Sequence, residues 1–416
     1  MTQFIQLHAL VSYAPANLNR DDLGRPKSAR MGGVMRMRVS SQSLKRAWRI
    51  SEVFSDIVSN GQPALPAIIE LFGEEKKGVG LGIRTRSLSE TVCNRLRDAG
   101  VTSDSLEQWQ SIFSVALGEA SLKPSDGKKN VKASADEDES EDGDSDKSTV
   151  LYLSDFEVNA FVDIAKQLEI YFVNPAGCKL ADQFKQLMEH YEKAKKAKAK
   201  KDKATALKNL SETLYGMIRV RPETAADVAM YGRMLAINPI QNIDAAVQVA
   251  HAISVHEVVT DDDYFTAVDD LNKTGAAHIG ESYFGAAVLY LYVCIDRNQL
   301  KRNLGGDEAL TARAIKALTQ SVLTVGPTGK QNSHASRAYA HYALVEKGAQ
   351  QPRQLSLAFL KPISGSNYPE DATQALVKLR ANMHKVYGAC ADNHQEMNAY
   401  SGEGSVAEMI KFAAEE

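Results

Sequence analysis

Cysteine is scarce in this chain: four in 416 residues, Cys93, Cys178, Cys294 and Cys390, with no CxxC pair. That pattern argues against a disulfide framework and a zinc cluster, and it fits a reducing, cytoplasmic setting. Long apolar runs are missing as well. No uninterrupted stretch reaches transmembrane length, so no membrane partner is expected. The opening MTQFIQLHALVSYAP alternates like a strand and lacks the charged start and small-residue cleavage site of a signal peptide. The signs of catalysis are equally thin. His8 is the only early candidate for a general base, and no spacing forces another histidine, lysine or tyrosine beside it. Asp21-Asp22 and Asp261-Asp262-Asp263 are adjacent acids, which project in different directions and make a weak metal signal. No catalytic residue, metal or cofactor is therefore expected.

What is present is charge, unevenly distributed. The net charge is −3, but Asp136 to Asp146 carries eight acids and no base, so the remainder stands at +5. The first 50 residues hold nine Lys or Arg against Asp21 and Asp22, a local charge of +7. A concentrated basic patch on a near-neutral chain is the electrostatic footprint of a nucleic-acid binder.

The patch has internal order. Arg36 and Arg38 alternate with Met35, Met37 and Val39, which is strand spacing. Ser40 or Ser41 then caps a helix whose Leu44, Ala47 and Trp48 share one face, with Lys45 and Arg49 four apart on another. A helix N-terminus with cations along its first turns suits successive phosphates. The ordinary alternative is a solvated basic surface helix.

Along the chain, Phe4 to Ser12 reads as a strand and Asn17 to Gly33 as a polar, cationic loop. Residues 51–214 read as helical, interrupted by an acidic segment at 121–148 that is expected to be a disordered loop, and by seven lysines between Lys193 and Lys203. Met217, Ile218, Val220 and Pro222 suggest a strand, and Asn242 to Val255 has helical spacing. Between Val258 and Phe284 the core pattern disappears, and apolar pairs on two arms suggest a protruding hairpin-like loop. Phe284 to Asp296 is the strongest strand. A helix over Asp307 to Val325, a strand over Tyr339 to Glu346 and helices over Gln374 to Tyr387 and Val406 to Ala414 complete an α+β class.

These residues carry a resemblance. NLNRDD (17–22), the glycines 32–33, R-x-R-V-SSQSLKRA-x-R (36–49), YGRM (231–234), AHAIS-x-H (250–256), DYFTAVDDL (263–271), GAAHIG (275–280) and NLGG (303–306) resemble the CasC family. That family is the backbone subunit of the type I-E CRISPR surveillance complex, Cascade. The resemblance is weak over the helical insertion and after Gly348. It implies an RRM-like (ferredoxin-like) palm, a large helical fingers insertion and a protruding thumb loop. The palm would take residues 1–50, 215–255 and 284–416 with the C-terminal helices, the fingers 51–214 and the thumb 256–283. Its implied partners are CRISPR guide RNA, target DNA through that guide, further copies of itself in a filament and other Cascade subunits.

By the same resemblance, Arg20, Lys27, Ser40, Gln42, Lys45 and Arg49 are assigned to the guide backbone. These residue types suit sequence-independent phosphate contacts. Met234 is assigned as an apolar wedge, and Tyr264, Phe265 and Thr266 with His278 and Ile279 as the two thumb arms over a displaced nucleotide. Two rival readings are an RRM-like endonuclease that processes CRISPR RNA and a generic single-strand RNA-binding protein.

Overall fold

The computed structural model describes residues 3–59, 82–85, 87–98, 103–117, 151–197, 199–217, 225–234, 242–268 and 276–415. The acidic segment 121–148 lies outside them, as do the end of the expected strand at 218–224 and the turn of the expected loop at 269–275.

Ile5, Leu7, Ala9 and Val11 alternate along β1 (Phe4–Ala16) and enter one core cluster, while Leu10 enters another on the opposite face. A strand buried on both faces sits centrally. β1 pairs antiparallel with β10 (Ala340–Gly348) on one side and β9 (Ala276–Asp296) on the other. Outside β10 lies β11 (Asn393–Asn398). Beyond β9 come β7 (Ala252–Ser254), β3 (Val34–Val39) and β2 (Ser28–Met31). β6 (Val247–Val249) and β8 (Asp261–Val268) also pair with β9, giving nine strands among the described residues. Every described pairing in the sheet is antiparallel.

One face of the sheet carries α1 (Ser41–Arg49), α2 (Glu52–Ser59), α10 (Glu308–Thr324) and α13 (Val406–Ala414), whose Trp48, Phe54, Leu318 and Met409 join the first cluster. The other face carries α12 (Tyr368–Tyr387) and a 3-10 turn at Ser356–Phe359, with Leu376 and Phe359 against Tyr290 and Tyr342. A separate cluster is built by α3 (Leu88–Asp98), α4 (Ser103–Ala116), α5 (Asp155–Val173), α6 (Ala181–Lys196) and α7 (Lys200–Met217). In it Trp109 stacks on Phe113 at 4.3 Å. A two-stranded sheet, β4 (Gly82–Thr85) with β5 (Leu151–Ser154), joins this cluster to short α8 (Ala226–Tyr231). The remaining described helices are α9 (Arg297–Asn303) and α11 (Gln331–His334).

Several expectations are corrected. Asn242 to Val255 forms β6 and β7, not a helix. β9 would otherwise leave backbone groups unpaired along this edge, and Val247, Val249 and Ile253 fit a pleated surface. The polar loop after β1 contains β2, an edge strand whose four residues are too few for a periodicity signal. The helical stretch 51–214 contains the four-residue strands β4 and β5, too short for a periodicity signal. Tyr215 to Met217 belongs to the end of α7. Phe54 and Val58 pack into the first cluster with α10, although the sequence reading groups them with the insertion.

Arg36 is the largest surprise of the basic patch. It is fully buried and donates to the carbonyls of Met31 (3.3 Å), Ser254 (2.8 Å) and Phe359 (2.8 Å). It therefore ties β3 to β7 and to the 3-10 turn. Removing it leaves carbonyls buried without donors, each worth about 1–3 kcal/mol. Arg36→Met is expected to lower unfolding free energy by roughly 2–4 kcal/mol in urea titration. A loss below the error of that measurement would show the carbonyls find other donors.

Candidate nucleic-acid interface

Ser40 sits in an extended conformation at the end of β3, and its hydroxyl accepts from the Ser43 amide at 3.2 Å, capping α1. Leu44, Ala47 and Trp48 anchor the helix inward, and Trp48 Nε1 donates to the Val325 carbonyl at 3.1 Å. The helix start is left facing the polar loop. Asn19 binds the two together: its Oδ1 accepts from the Ser40 amide at 2.9 Å, and its carbonyl accepts from the Lys27 amide at 2.8 Å. The Lys27 carbonyl in turn accepts from the Arg38 amide at 2.8 Å. Arg20 pairs across the same loop with Pro26. Arg20, Lys27, Ser40 and Gln42 are thus gathered at one helix N-terminus. Gln42 is exposed, and Ser41 donates to its Oε1 at 3.3 Å.

Lys45, one turn along, is half-buried with Nζ 5.7 Å from the Tyr231 ring centre. Burial, and then the neighbouring Arg84, lower its pKa. Arg49 faces another way. It donates to the Gly82 carbonyl at 2.8 Å and lies 3.6 Å from the buried Asp227 carboxylate. Asp227 also accepts from the Gly82 amide at 2.7 Å. The structure therefore commits Arg49 to holding β4 against α1 and α8.

Met234 follows Arg233, which is buried in a 2.7 Å ion pair with Glu157 and bridged to Ile243. On that fixed base Met234 is 79 % exposed, so it is no core methionine. The expected loop over 256–283 is a hairpin of β8 and the outer half of β9. Tyr264 registers opposite Glu281, Phe265 opposite Gly280, Thr266 opposite Ile279 and Ala267 opposite His278. Tyr264 and Phe265 are 61 % and 43 % exposed, on opposite faces because neighbours in a strand alternate. Thr266 is exposed on the Tyr264 face. Met234 comes from a different element.

The hairpin root is joined to the basic loop. Asn17 Nδ2 donates to the Tyr283 carbonyl at 2.8 Å, and the Arg25 guanidinium lies 4.9 Å above the Tyr283 ring. A cationic helix start and an exposed aromatic hairpin thus share one anchor. Such an arrangement can hold phosphates electrostatically and bases by stacking.

The family description that matches is CT1975-like protein, over residues 5–415. The chain belongs to this family of Cas proteins. No curated protein matches the sequence. Two solved chains share the α+β fold with its antiparallel sheet. One, from a CRISPR RNA-guided surveillance complex described as pre-nicking, is 24% identical with a TM-score of 0.67, covering 99% of this chain and 100% of that one. Another, from a CRISPR RNA-guided surveillance complex, is 22% identical with a TM-score of 0.57 and the same coverage.

The sequence reading of this CT1975-like chain missed several groups. Asn17 and Asn19 position the loop, and they were visible in the NLNRDD motif but without a role. Arg84 lies 4.9 Å from the Tyr152 ring and close enough to act on Lys45, although 39 residues separate them in sequence. His251 was visible in its motif but without a role. Its Nδ1 accepts from Arg38 at 3.0 Å, and burial, then Arg38 and Lys27, lower its pKa. His8, the candidate base, is fully buried: Tyr290 hydroxyl lies 2.8 Å from its Nδ1 and Glu346 3.5 Å from its Nε2. Asp21 accepts from the amides of Leu23 and Arg25 and shapes the loop. Among the described residues, no helix is long and apolar enough to cross a membrane.

Proposed function

We propose that this chain is a non-catalytic backbone subunit of a type I-E Cascade complex that stacks in copies along CRISPR guide RNA. It grips the guide's phosphates, displaces nucleotides at intervals and leaves the others to pair with target DNA. The observation that carries this reading is the gathering of Arg20, Lys27, Ser40 and Gln42 at the N-terminus of α1 in a CT1975-like chain. The strand order β10-β1-β9-β7, with α1, α2 and α10 on one face, supports an RRM-like palm. The second cluster supports helical fingers, and the β8–β9 hairpin a thumb. The proposed setting is the cytoplasm, in keeping with four unpaired cysteines.

A guide must be held whatever its sequence, so its backbone is the surface to bind. Lys45 lies one turn into α1, in reach of the phosphate after the one at the helix start. Arg49 acts as a positioning residue that fixes α1 to the fingers. The burial of His8 beneath α12 favours the scaffold over the endonuclease.

Arg20→Ala with Lys45→Ala tests this reading by fluorescence anisotropy on unrelated single-stranded RNAs. Affinity is expected to fall at least about tenfold, equally for each sequence, and the salt slope to flatten by about 0.7 per contact removed. Wild-type affinity and slope in the double variant would remove α1 from the site.

A further inference from the structure

Asn17 holds three segments together. Its Nδ2 donates to the Gly24 carbonyl at 2.9 Å in the basic loop and to the Tyr283 carbonyl at 2.8 Å at the hairpin root. Its own carbonyl faces a third segment, the loop 326–337. A Cβ at Gly329 would lie 2.9 Å from the Asn17 carbonyl oxygen and 2.3 Å from that of Leu18, so only glycine allows this approach. The loop is fixed at both ends of its arc. Its start follows Val325, whose carbonyl accepts from Trp48 of α1, and the His334 ring is centred 6.1 Å from that of Phe284 in β9. It therefore runs from the last turn of α1, past Asn17 and Leu18 of the basic loop, to the hairpin root.

This loop contains both non-glycine residues with positive φ among those described, Lys330 at +43° and Ala335 at +49°. A side chain bearing a Cβ resists that conformation, and glycine would adopt it freely. A lysine there breaks a local rule, which is expected where the side chain serves function. Arg337 and Ser333 are exposed nearby. The Ser336 hydroxyl is buried and has no hydrogen-bond partner among the described residues.

We propose that the loop 326–337 is a second wall of the guide-RNA site, with Lys330 contacting a phosphate and Arg337 and Ser333 extending the contact along the strand. The proposal rests on the function proposed above. It places the RNA between α1 and this loop, on its way to the hairpin. Of the two acids in the facing loop, Asp21 accepts from the amides of Leu23 and Arg25, and Asp22 is exposed to solvent.

Lys330→Gly separates the cation from the backbone. Glycine suits the left-handed position, so thermal stability is expected to stay level or rise. Binding of the full-length protein to a labelled, unstructured single-stranded RNA is expected to weaken at least about fivefold, with a salt slope shallower by about 0.7. Lys330→Arg is expected to restore both. Unchanged affinity and slope in Lys330→Gly, alongside a weakened Lys45→Ala, would overturn the second wall and leave the α1 grip standing. Equal weakness of Lys330→Gly and Lys330→Arg would also overturn it, because the charge would not be the cause. Absence of RNA binding by the wild type would sink the underlying function instead.

Discussion

Phe265→Ala combined with Met234→Ala is expected to abolish a periodic pattern of unstacked nucleotides along the bound guide while changing RNA affinity by less than about tenfold. Two opposing terms give this result. Stacking a base on an aromatic ring contributes roughly 1–3 kcal/mol. Displacing that base from its neighbours costs a similar few kcal/mol. Loss of the wedge removes both, and the phosphate contacts at α1 persist. Phe265 is well placed for the role, because a Cβ at Gly280 would lie only 2.6 Å from its Cζ. Its ring therefore lies across β9 and presents a flat face. Gly280→Ala should push that ring aside and reproduce the phenotype without removing it. Met234 supplies a flexible apolar tip from a rigid base, the Arg233–Glu157 pair. Chemical probing of unstacked bases reads the outcome. The wild-type complex is expected to show reactive nucleotides at a constant interval, and uniform wild-type reactivity would eliminate the wedge whatever the affinity.

Loss of the buried carboxylate at Glu346 is expected to be the most destabilising single change in the sheet. Glu346, on β10, is fully buried, pairs with Arg353 and accepts from Arg380 Nε at 2.8 Å. His8 on β1 lies 3.5 Å away. Burial pushes the carboxyl up, but His8, Arg353 and Arg380 together hold it well below the usual range. Glu346→Gln would leave Arg353 without its counter-charge and Arg380 with only Glu396, 3.2 Å away, at a cost of about 3–5 kcal/mol at pH 7.

The pH dependence has a definite sign. A carboxylate whose folded pKa lies below its unfolded value stabilises the fold above about pH 4.3, and that contribution is lost as pH falls further. Burial lowers His8, and lowers His341 to about 4, so each takes its proton first in the unfolded chain. Wild-type stability is thus expected to decline as pH falls below about 6.5 and more steeply below about 4.3. The gap between wild type and Glu346→Gln should narrow only in the lower range. A gap independent of pH from 7 to about 3 would show that the charge is not its source.

Periodicity by itself determined the elements whose patterns are long and one-sided. β1, α1, α10 and the inner half of β9 were legible because burial of one face imposes a spacing that composition cannot hide. An N-cap at one of the two serines, which the structure places at Ser40, and the exposed hairpin were legible for related reasons, one a local hydrogen bond and the other an interruption of core spacing. The family was legible from ordered motifs in those same regions. Tertiary structure alone decided the rest. β6 and β7 exist because β9 offers an edge to be paired, a demand that Asn242 to Val255 does not itself encode. The charges of the basic patch looked equivalent in sequence, yet burial separated them. Arg36 holds carbonyls inside the sheet, Arg49 holds β4 through Gly82 and Asp227, and Lys45 stays half-buried beside the Tyr231 ring. Which cation faces solvent depends on what packs over it. Here Ser254, Phe359, Gly82 and Asp227 all lie more than 30 residues away from the arginines they engage, beyond the reach of any local pattern.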